Sequence, residues 1–404
     1  MIRLNLWLIL GATIPSVLVC WATAWLVRRY GPRLSLVDRP GQRKIHTTAT
    51  PTGGGLAIWL GIVLPFALGQ LAVWVLLSER GESAAGLIGL PEFISRHLPG
   101  LMHQSGRLWI LLAGGTVLML LGLVDDRFGL DWRLRLLVQT LVAVVLVRSG
   151  WRLSLFLEAQ PSADTPGVEW IVLLVQLLID ALSVLWIVGL VNSFNMLDNM
   201  DGLSAGVAAI AAAMLAAVML LTPDPATSEP QLFVAGLLLV LAGSLLGFLW
   251  HNRPPARLFM GDAGSYLVGY LLAMSTLTAT FAFRGVPRHA ILAPLCVLAV
   301  PLYDTVSVVL IRLRSGRSPF TGDKSHFSHR LVELGMTPSQ AVLTIYLATA
   351  TCGLGALLLH QVNAAGACVI LLLVGCILLL VAILETAGRR KPSRNREDEP
   401  DGKT

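Results

Sequence analysis

Two adjacent carboxylates, Asp125 and Asp126, lie at the end of a long apolar block. The other side chains of this block are mostly apolar and could not take part in a reaction. Neighbouring residues on a helix point about 100° apart, so both can reach one ligand only where the helix ends. Gly129 favours such an end. The pair therefore predicts a ligand site, and an interfacial acidic pair beside Arg127 is the alternative.

A second polar segment joins two apolar blocks without a single Lys or Arg. Asn195, Asp198 and Asp201 are spaced three residues apart, which places an amide and two carboxylates on one helical face. Three oxygen-bearing groups in a row suit a hard cation or a cation-bound polar substrate. The EF-hand spacing is absent, and a solvated loop is the alternative interpretation.

The third segment runs from His251 to Ser265 and contains Asn252, Phe259 and Asp262. Glycines flank Asp262 and allow backbone to approach a ligand closely. Asp262 is predicted to begin a helix, where backbone N–H groups also favour phosphate. Phe259 is either an anchor at the membrane surface or a platform on which a base stacks.

The fourth segment contains His326, His329 and Arg330. The two histidines have the spacing of a zinc pair, but no third ligand of zinc type is near, and anion recognition is favoured. Asp304 precedes them within an apolar block. A carboxylate at such depth is functional by default, with a structural hydrogen bond as the alternative.

The first basic segment, residues 38–46, includes Arg43 and His46, and three glycines follow at 53–55. These glycines suit close helix packing or an anion site. The basic residues alone are equally explained as a signal of membrane orientation.

The elements that must position these side chains are membrane helices. Of the 404 residues, 55% are hydrophobic and only 13% are charged, which argues against a soluble protein. Apolar blocks long enough to cross the bilayer predict an all-α polytopic membrane protein with about eleven spans. The predicted spans are 4–27, 54–77, 107–124, 134–150, 168–191, 203–222, 231–250, 266–283, 289–311, 341–360 and 364–385.

The charge distribution predicts the orientation. Of the 30 Lys and Arg residues, 22 fall on one side of the predicted spans, which makes that side cytoplasmic and places the N-terminus outside and the C-terminus inside. The net charge of +6 is thereby explained without nucleic acid. Residues 1–385 are predicted to form the membrane domain, and residues 386–404 a disordered, charged cytoplasmic tail.

All five polar segments fall on the predicted cytoplasmic side and combine carboxylates with basic groups. A metal-assisted reaction on a phosphorylated substrate at the membrane surface explains them together. No Walker-type loop is present in the sequence, so ATP-driven transport has no support. A secondary transporter is the alternative, but it predicts carboxylates near the middle of the membrane and related halves.

In their order along the chain, these segments resemble the polyprenyl-phosphate N-acetylhexosamine-1-phosphate transferases. The resemblance runs from about residue 36 to 345 and implies transfer of a sugar 1-phosphate from a UDP-N-acetylhexosamine to undecaprenyl phosphate, with release of UMP. The matching residues are Asp-x-Pro-x-x-Arg-Lys-x-His at 38–46, Gly53-Gly54, Asp125-Asp126, Asn195/Asp198/Asp201, Asn252 with Phe-Met-Gly-Asp-x-Gly-Ser at 259–265, and His326/His329/Arg330.

The resemblance also implies roles for individual residues, with Mg²⁺ as cofactor and Mn²⁺ as an alternative. It implies magnesium binding by Asp262. It implies catalytic roles for Asp125, Asp126, Asp198, Asp201 and His326, and substrate binding by Arg43, His46, Asn195, Asn252, Phe259, His329 and Arg330.

The last polar segment lacks the run of adjacent histidines typical of the MraY branch and resembles the WecA/TagO branch. UDP-GlcNAc is therefore the expected donor, in the first membrane step of a cell-envelope glycan pathway such as that of lipopolysaccharide or teichoic acid. The expected location is the bacterial inner membrane, with the active site on its cytoplasmic face. A homodimer is left open.

Overall fold

The chain folds as a set of long helices, as the apolar blocks predict. A computed structural model describes residues 2–34, 36–38, 49–78, 98–153, 168–222, 230–279, 287–319 and 325–388. Two short strands, β1 (Val37–Asp38) and β2 (Thr50–Pro51), pair antiparallel. The helices are α1 (Ile2–Tyr30), α2 (Gly54–Leu76), α3 (Leu98–Phe128), α4 (Trp132–Arg148), α5 (Val168–Leu197), α6 (Leu203–Leu221), α7 (Leu232–Asn252), α8 (Gly261–Thr278), α9 (Ala293–Val297), α10 (Ala299–Arg314), α11 (Phe327–Glu333), α12 (Pro338–Leu358) and α13 (Ala364–Gly388).

Within these described ranges, eight helices are long and apolar enough to cross a membrane, and a ninth span results if one bent pair counts as a single crossing. The all-α polytopic fold is thus confirmed. Two further predicted spans, 134–150 and 266–283, overlap α4 and α8, which have 17 and 18 residues and begin two and five residues earlier than predicted. The total of eleven and the orientation of the chain stay predictions.

The helix α8 lies at the centre of the molecule. Its residues from Ala263 to Leu277 are all buried, and it packs against α2, α3, α5 and α7. Glycine permits the closest of these contacts: a Cβ on Gly55 of α2 would lie 2.2 Å from the backbone nitrogen of Gly264. Because α8 is enclosed by other helices, its Ser, Thr and Tyr side chains are buried in protein. On a lipid-facing helix, such polar side chains would be exposed to hydrocarbon.

The outer helices expose apolar side chains where lipid would surround them. Trp7 of α1, Trp170 of α5, Leu347 of α12 and Leu372 of α13 are each more than half exposed. An exposed apolar belt of this kind is expected of a protein whose solvent is the hydrocarbon core. α6 and α7, in contrast, are largely buried inside the helix bundle.

The predicted span 289–311 is broken. A 3₁₀ turn with α9 and the helix α10 meet at an angle of 68° around Leu298. Pro301, in the first turn of α10, has no N–H to donate to the preceding turn, which weakens the helix at this point and permits the bend. Hydropathy alone does not indicate this bend, because both halves are apolar.

The predicted tail boundary at 385 falls just inside α13, which continues to Gly388. Residues 389–404 lie outside the described part of the chain. Arg43 and His46 also lie outside it, so the predictions for both remain untested.

Candidate active site

The N-terminus of α8 gathers the acidic residues. Asp126 accepts hydrogen bonds from two of its backbone N–H groups, that of Asp262 at 2.8 Å and that of Ala263 at 3.3 Å. The carboxylate of Asp198 lies near the backbone N–H of Gly261, which favours its ionised form. The first N–H groups of a helix have no partner within it and carry partial positive charge, so carboxylates are stable here. Asp126, Asp198 and Asp262, predicted from separate motifs, therefore converge at one helix end.

Asp125 is buried and fully engaged. One oxygen accepts from the backbone N–H of Leu130 at 2.7 Å, and the other accepts from Arg135 at 2.8 Å and from the Tyr266 hydroxyl at 2.9 Å. A buried charge is tolerated when it is paired and hydrogen-bonded in this way. Asp125 thus joins the end of α3 to α4 and α8.

Asp262 lies between an amide and a guanidinium. Its Oδ1 accepts from the side-chain amide of Asn195, which also donates to Ser265 at 3.1 Å. Its Oδ2 lies 3.8 Å from Nη1 of Arg135. The Asp262 side chain is 29% exposed, whereas that of Asp125 is 3% exposed. Of these two carboxylates, Asp262 is therefore the one that a ligand can reach.

Asp201 and Asn252 form hydrogen bonds with the backbone of the loop 253–258. Asp201 accepts from the N–H of Ala256 at 2.9 Å. The Asn252 amide accepts from the N–H of Gly202 and donates to the carbonyl of Leu258, both at 2.9 Å. These bonds give both side chains a structural use in holding the loop. The catalytic role predicted for Asp201 and the substrate-binding role predicted for Asn252 stay predictions.

Phe259 is half-buried, and its backbone joins the loop to the start of α2. Its N–H donates to the Pro51 carbonyl at 2.9 Å, and its carbonyl accepts from Gly54 at 3.0 Å. This pairing brings the glycines at 53–55, which follow the first basic segment, beside the segment that contains Asp262. The roles of Phe259 as a membrane anchor and as a base platform both stay predictions.

The fourth segment, with His326, His329 and Arg330, adjoins the acidic loop, which is residues 198–202 between α5 and α6. Ser328 of α11 donates to the side chain of Asn199 at 2.6 Å. Arg330 is buried and donates to Ser307 of α10 at 2.9 Å. The ring centroids of His326 and His329 are 6.3 Å apart. The residues of the fourth motif thus lie beside the loop that carries Asp198 and Asp201.

The acidic loop carries excess negative charge. Burial, together with the nearby charges of Asp126 and Asp201, raises the pKa of Asp198 from 3.8 to about 7, although the Gly261 N–H opposes the shift. A divalent cation would relieve this repulsion. Within the part of the chain that the structure describes, no three His, Cys, Asp or Glu side chains form a ready-made metal site. Magnesium commonly uses one or two carboxylates plus substrate phosphates, so the residues present fit that mode of binding.

Two of the contacting residues, Arg135 and Tyr266, were not singled out from the sequence. Arg135 contacts Asp125 and approaches Asp262, and Tyr266 donates to Asp125. Ser265, which ends the predicted motif 259–265, accepts from Asn195. Arg135 looked like one of many orientation charges. The available signal was the position of Arg135 in the first turn of the helix that follows the Asp pair.

Comparison with known proteins gives consistent matches. The sequence model of the family described as Glycosyl transferase family 4 matches residues 108–280. A probable undecaprenyl-phosphate N-acetylglucosaminyl 1-phosphate transferase of Bacillus subtilis (strain 168) is 30% identical over 339 residues, 84% of this chain and 81% of that protein. A decaprenyl-phosphate N-acetylglucosaminephosphotransferase of Mycobacterium tuberculosis (H37Rv) is 34% identical over 80% of this chain and 75% of its own. An undecaprenyl-phosphate alpha-N-acetylglucosaminyl 1-phosphate transferase of Escherichia coli (K12) is 29% identical over 81% of this chain and 77% of its own.

Proposed function

This chain belongs to glycosyl transferase family 4, and we propose that it transfers N-acetylglucosamine 1-phosphate from UDP-GlcNAc to a polyprenyl phosphate, with release of UMP. The family and the transferase class predicted from the sequence are confirmed. The observation that carries the proposal is the meeting of Asp126, Asp198 and Asp262 at the N-terminus of α8, with Arg135 beside them. The expected acceptor is undecaprenyl phosphate.

The proposed reaction exchanges one phosphoanhydride for another. An oxygen of the lipid phosphate attacks the β-phosphorus of the donor, and the bond from that phosphorus to the bridging oxygen breaks. UMP leaves with the electron pair, and the lipid gains the sugar 1-phosphate. Because a phosphate monoester is largely ionised at neutral pH, the acceptor needs little help from a general base. Charge neutralisation and alignment of two anions are the larger requirements.

Different residues are proposed to supply the charge neutralisation and the alignment. Asp125 holds Arg135 in place, and the guanidinium of Arg135 lies where it can contact a phosphate oxygen near Asp262. The hydrogen bonds that Asp125 accepts favour a positioning role for it over proton transfer. Asn195 fixes one oxygen of Asp262 and leaves the carboxylate half-buried and oriented.

We propose Mg²⁺ as the cofactor, with Mn²⁺ as a substitute, held by Asp262 together with diphosphate oxygens. The cation supplies positive charge to the diphosphate when it is bound. The excess negative charge around Asp198 and the partial exposure of Asp262 support this assignment.

We place the reaction at the cytoplasmic face of the bacterial inner membrane. The helices make this a multi-pass membrane protein. The cytoplasmic side is inferred from the excess of Lys and Arg on the side of the predicted spans where the acidic motifs lie.

Purified protein is expected to use UDP-GlcNAc as donor and to lose activity in EDTA. Detergent-solubilised protein is mixed with undecaprenyl phosphate, Mg²⁺ and a radiolabelled donor, and label in the lipid phase is measured. Parallel reactions contain UDP-GalNAc or UDP-glucose, and Mg²⁺ is added back after EDTA. Accumulation of the nucleotide sugar inside vesicles, without lipid labelling by any UDP-N-acetylhexosamine, would favour transport instead.

The stabilising effect of Mg²⁺ is expected to grow as the pH rises. The folded-state pKa of Asp198 is about 7, above its ordinary 3.8, so folding favours the protonated form and stability falls as the pH rises between these values. A bound cation favours the ionised form, so it binds the folded protein better above the raised pKa. Thermal unfolding midpoints are measured at about pH 5.5 and about pH 8, with and without Mg²⁺.

The matched variant is Asp198→Asn, which has no carboxylate to titrate and should show a flatter pH dependence without the metal. An equal rise in midpoint at both pH values in the unaltered protein would show that Mg²⁺ does not act on this acidic loop.

A further inference from the structure

Asp304 is a buried carboxylate that the proposed reaction does not use. It lies in α10, is 1% exposed, and has both oxygens engaged by the segment that begins α11. Its Oδ2 lies 3.0 Å from Nδ1 of His326, and its Oδ1 accepts from the backbone N–H of Phe327 at 2.6 Å. The carboxylate is thus fixed at two points and reaches the histidine at a defined ring nitrogen.

This contact favours one tautomer of His326. An ionised carboxylate only accepts hydrogen bonds, so the Nδ1 that faces it carries the hydrogen. In the neutral ring, Nε2 then has a free lone pair and acts as an acceptor. Because His326 is 6% exposed, its ring has little room to choose another orientation.

The position of α11 connects this pair to the acidic loop. Ser328 bonds to Asn199, which lies between Asp198 and Asp201 in the chain. Two further ionisable residues of the described part of the chain lie beside His326: His329, with its ring centroid 6.3 Å away, and Arg330, which is bonded to α10. The contact from Asp304 reaches a ring nitrogen of His326 at hydrogen-bond distance.

We propose that Asp304 is a positioning residue for His326, which it holds with Nδ1 protonated so that Nε2 is the acceptor offered to the substrate. This inference rests on the proposed function, because it assigns His326 to the same site. Orientation of an imidazole by a buried carboxylate commonly matters to activity even though the carboxylate touches no substrate.

The variant Asp304→Asn tests the proposal with little change in shape. The amide oxygen can still accept from Phe327, while the amide NH₂ would donate to Nδ1 of His326 and move the ring hydrogen to Nε2. We expect kcat to fall at least about tenfold. The KM for the lipid acceptor should stay within about twofold, because Asp304 does not contact it. The matched control is Asp180→Asn, which removes a carboxylate of α5 that lies 3.8 Å from Arg148. This variant should keep full activity.

A double-variant cycle separates positioning from a structural role. In a His326→Ala background, Asp304→Asn should change kcat by less than about twofold, because the group through which it acts is gone. An equal loss in both backgrounds would overturn the proposal, since it would mean that Asp304 only stabilises α11.

The tautomer is measured directly by NMR of protein labelled with ¹⁵N-histidine, with the His326 signals identified by their loss in His326→Ala. The expected result is hydrogen on Nδ1 in the unaltered protein and on Nε2 in Asp304→Asn. Hydrogen on Nε2 in the unaltered protein would overturn the proposal even if the kinetic background is too low to measure. Absence of sugar-phosphate transfer in the unaltered protein would instead contradict the proposed function, and the NMR result would still decide whether Asp304 sets the tautomer.

Discussion

Asp262→Asn is expected to abolish transfer, with a loss of at least about a thousandfold in the rate of lipid labelling. The substitution keeps the size of the side chain and an oxygen that can accept from Asn195, so α8 should keep its place. It removes the charge that is proposed to hold the cation beside the diphosphate. The measurement is the initial rate of label transfer, with the thermal unfolding midpoint recorded for the same preparation.

Asp180→Asn is the control for this variant as well. Asp180 is also a carboxylate in a membrane helix, and it lies 3.8 Å from Arg148 and 3.9 Å from Arg152. Retention of more than about a tenth of the unaltered rate by Asp262→Asn would contradict its proposed role, because a group that neutralises a phosphoryl-transfer site is worth more than that.

Gly122→Ala is expected to cause the second large loss, at least about a hundredfold in rate. Gly122 lies in α3 against the first turn of α8, and a Cβ there would be 2.4 Å from the backbone of Asp262 and from the nitrogen of Ala263. These are backbone atoms that cannot swing aside, so α3 and α8 must move apart. The shift would displace Asp262 and also disturb the bonds from Asp126 to the same helix turn.

The matched variant is Gly106→Ala in the same helix, where no atom lies within 4 Å of the added Cβ. It should keep the rate and gain slightly in stability, because alanine is a better helix former than glycine. Both variants are assayed for rate and for thermal unfolding midpoint. If Gly122→Ala behaves like Gly106→Ala, the close contact between α3 and α8 does not position the site.

The acidic motifs could be predicted from the sequence because each stands out locally. Asp125 with Asp126 and the series from Asn195 to Asp201 are conspicuous in a chain with 13% charged residues. Their residue types also suit the chemistry of a cation and a phosphate. The structure adds that Asp126 and Asp198 meet Asp262 at one helix end.

The partners of these residues could not be predicted in the same way. Tyr266 donates to a carboxylate 141 positions earlier in the chain, and Asp304 holds a histidine 22 positions later. Periodicity shows which face of a helix is apolar, but it does not show which two helices meet. The contacts of Arg135 could not be predicted either, because a basic residue at the start of a helix looks like an orientation signal until its neighbour is known.

The bend at Leu298 is another feature that could not be predicted from the sequence. Hydropathy predicts one continuous span over 289–311, and the structure divides it into α9 and α10 at 68°. The proline that permits the break was visible in the sequence. Its consequence depends on the helices packed around it, because proline within a membrane helix can equally produce only a kink.

The most direct test of sugar 1-phosphate transfer follows the two phosphorus atoms of the donor separately. UDP-GlcNAc labelled with ³²P at the β position should place its label in the polyprenyl product, and the same donor labelled at the α position should release it as UMP. The two labels must separate in equal amounts, because the bond between the β-phosphorus and the bridging oxygen is the one that breaks. Release of both labels together as UDP, with the sugar alone in the lipid, would contradict the proposed reaction.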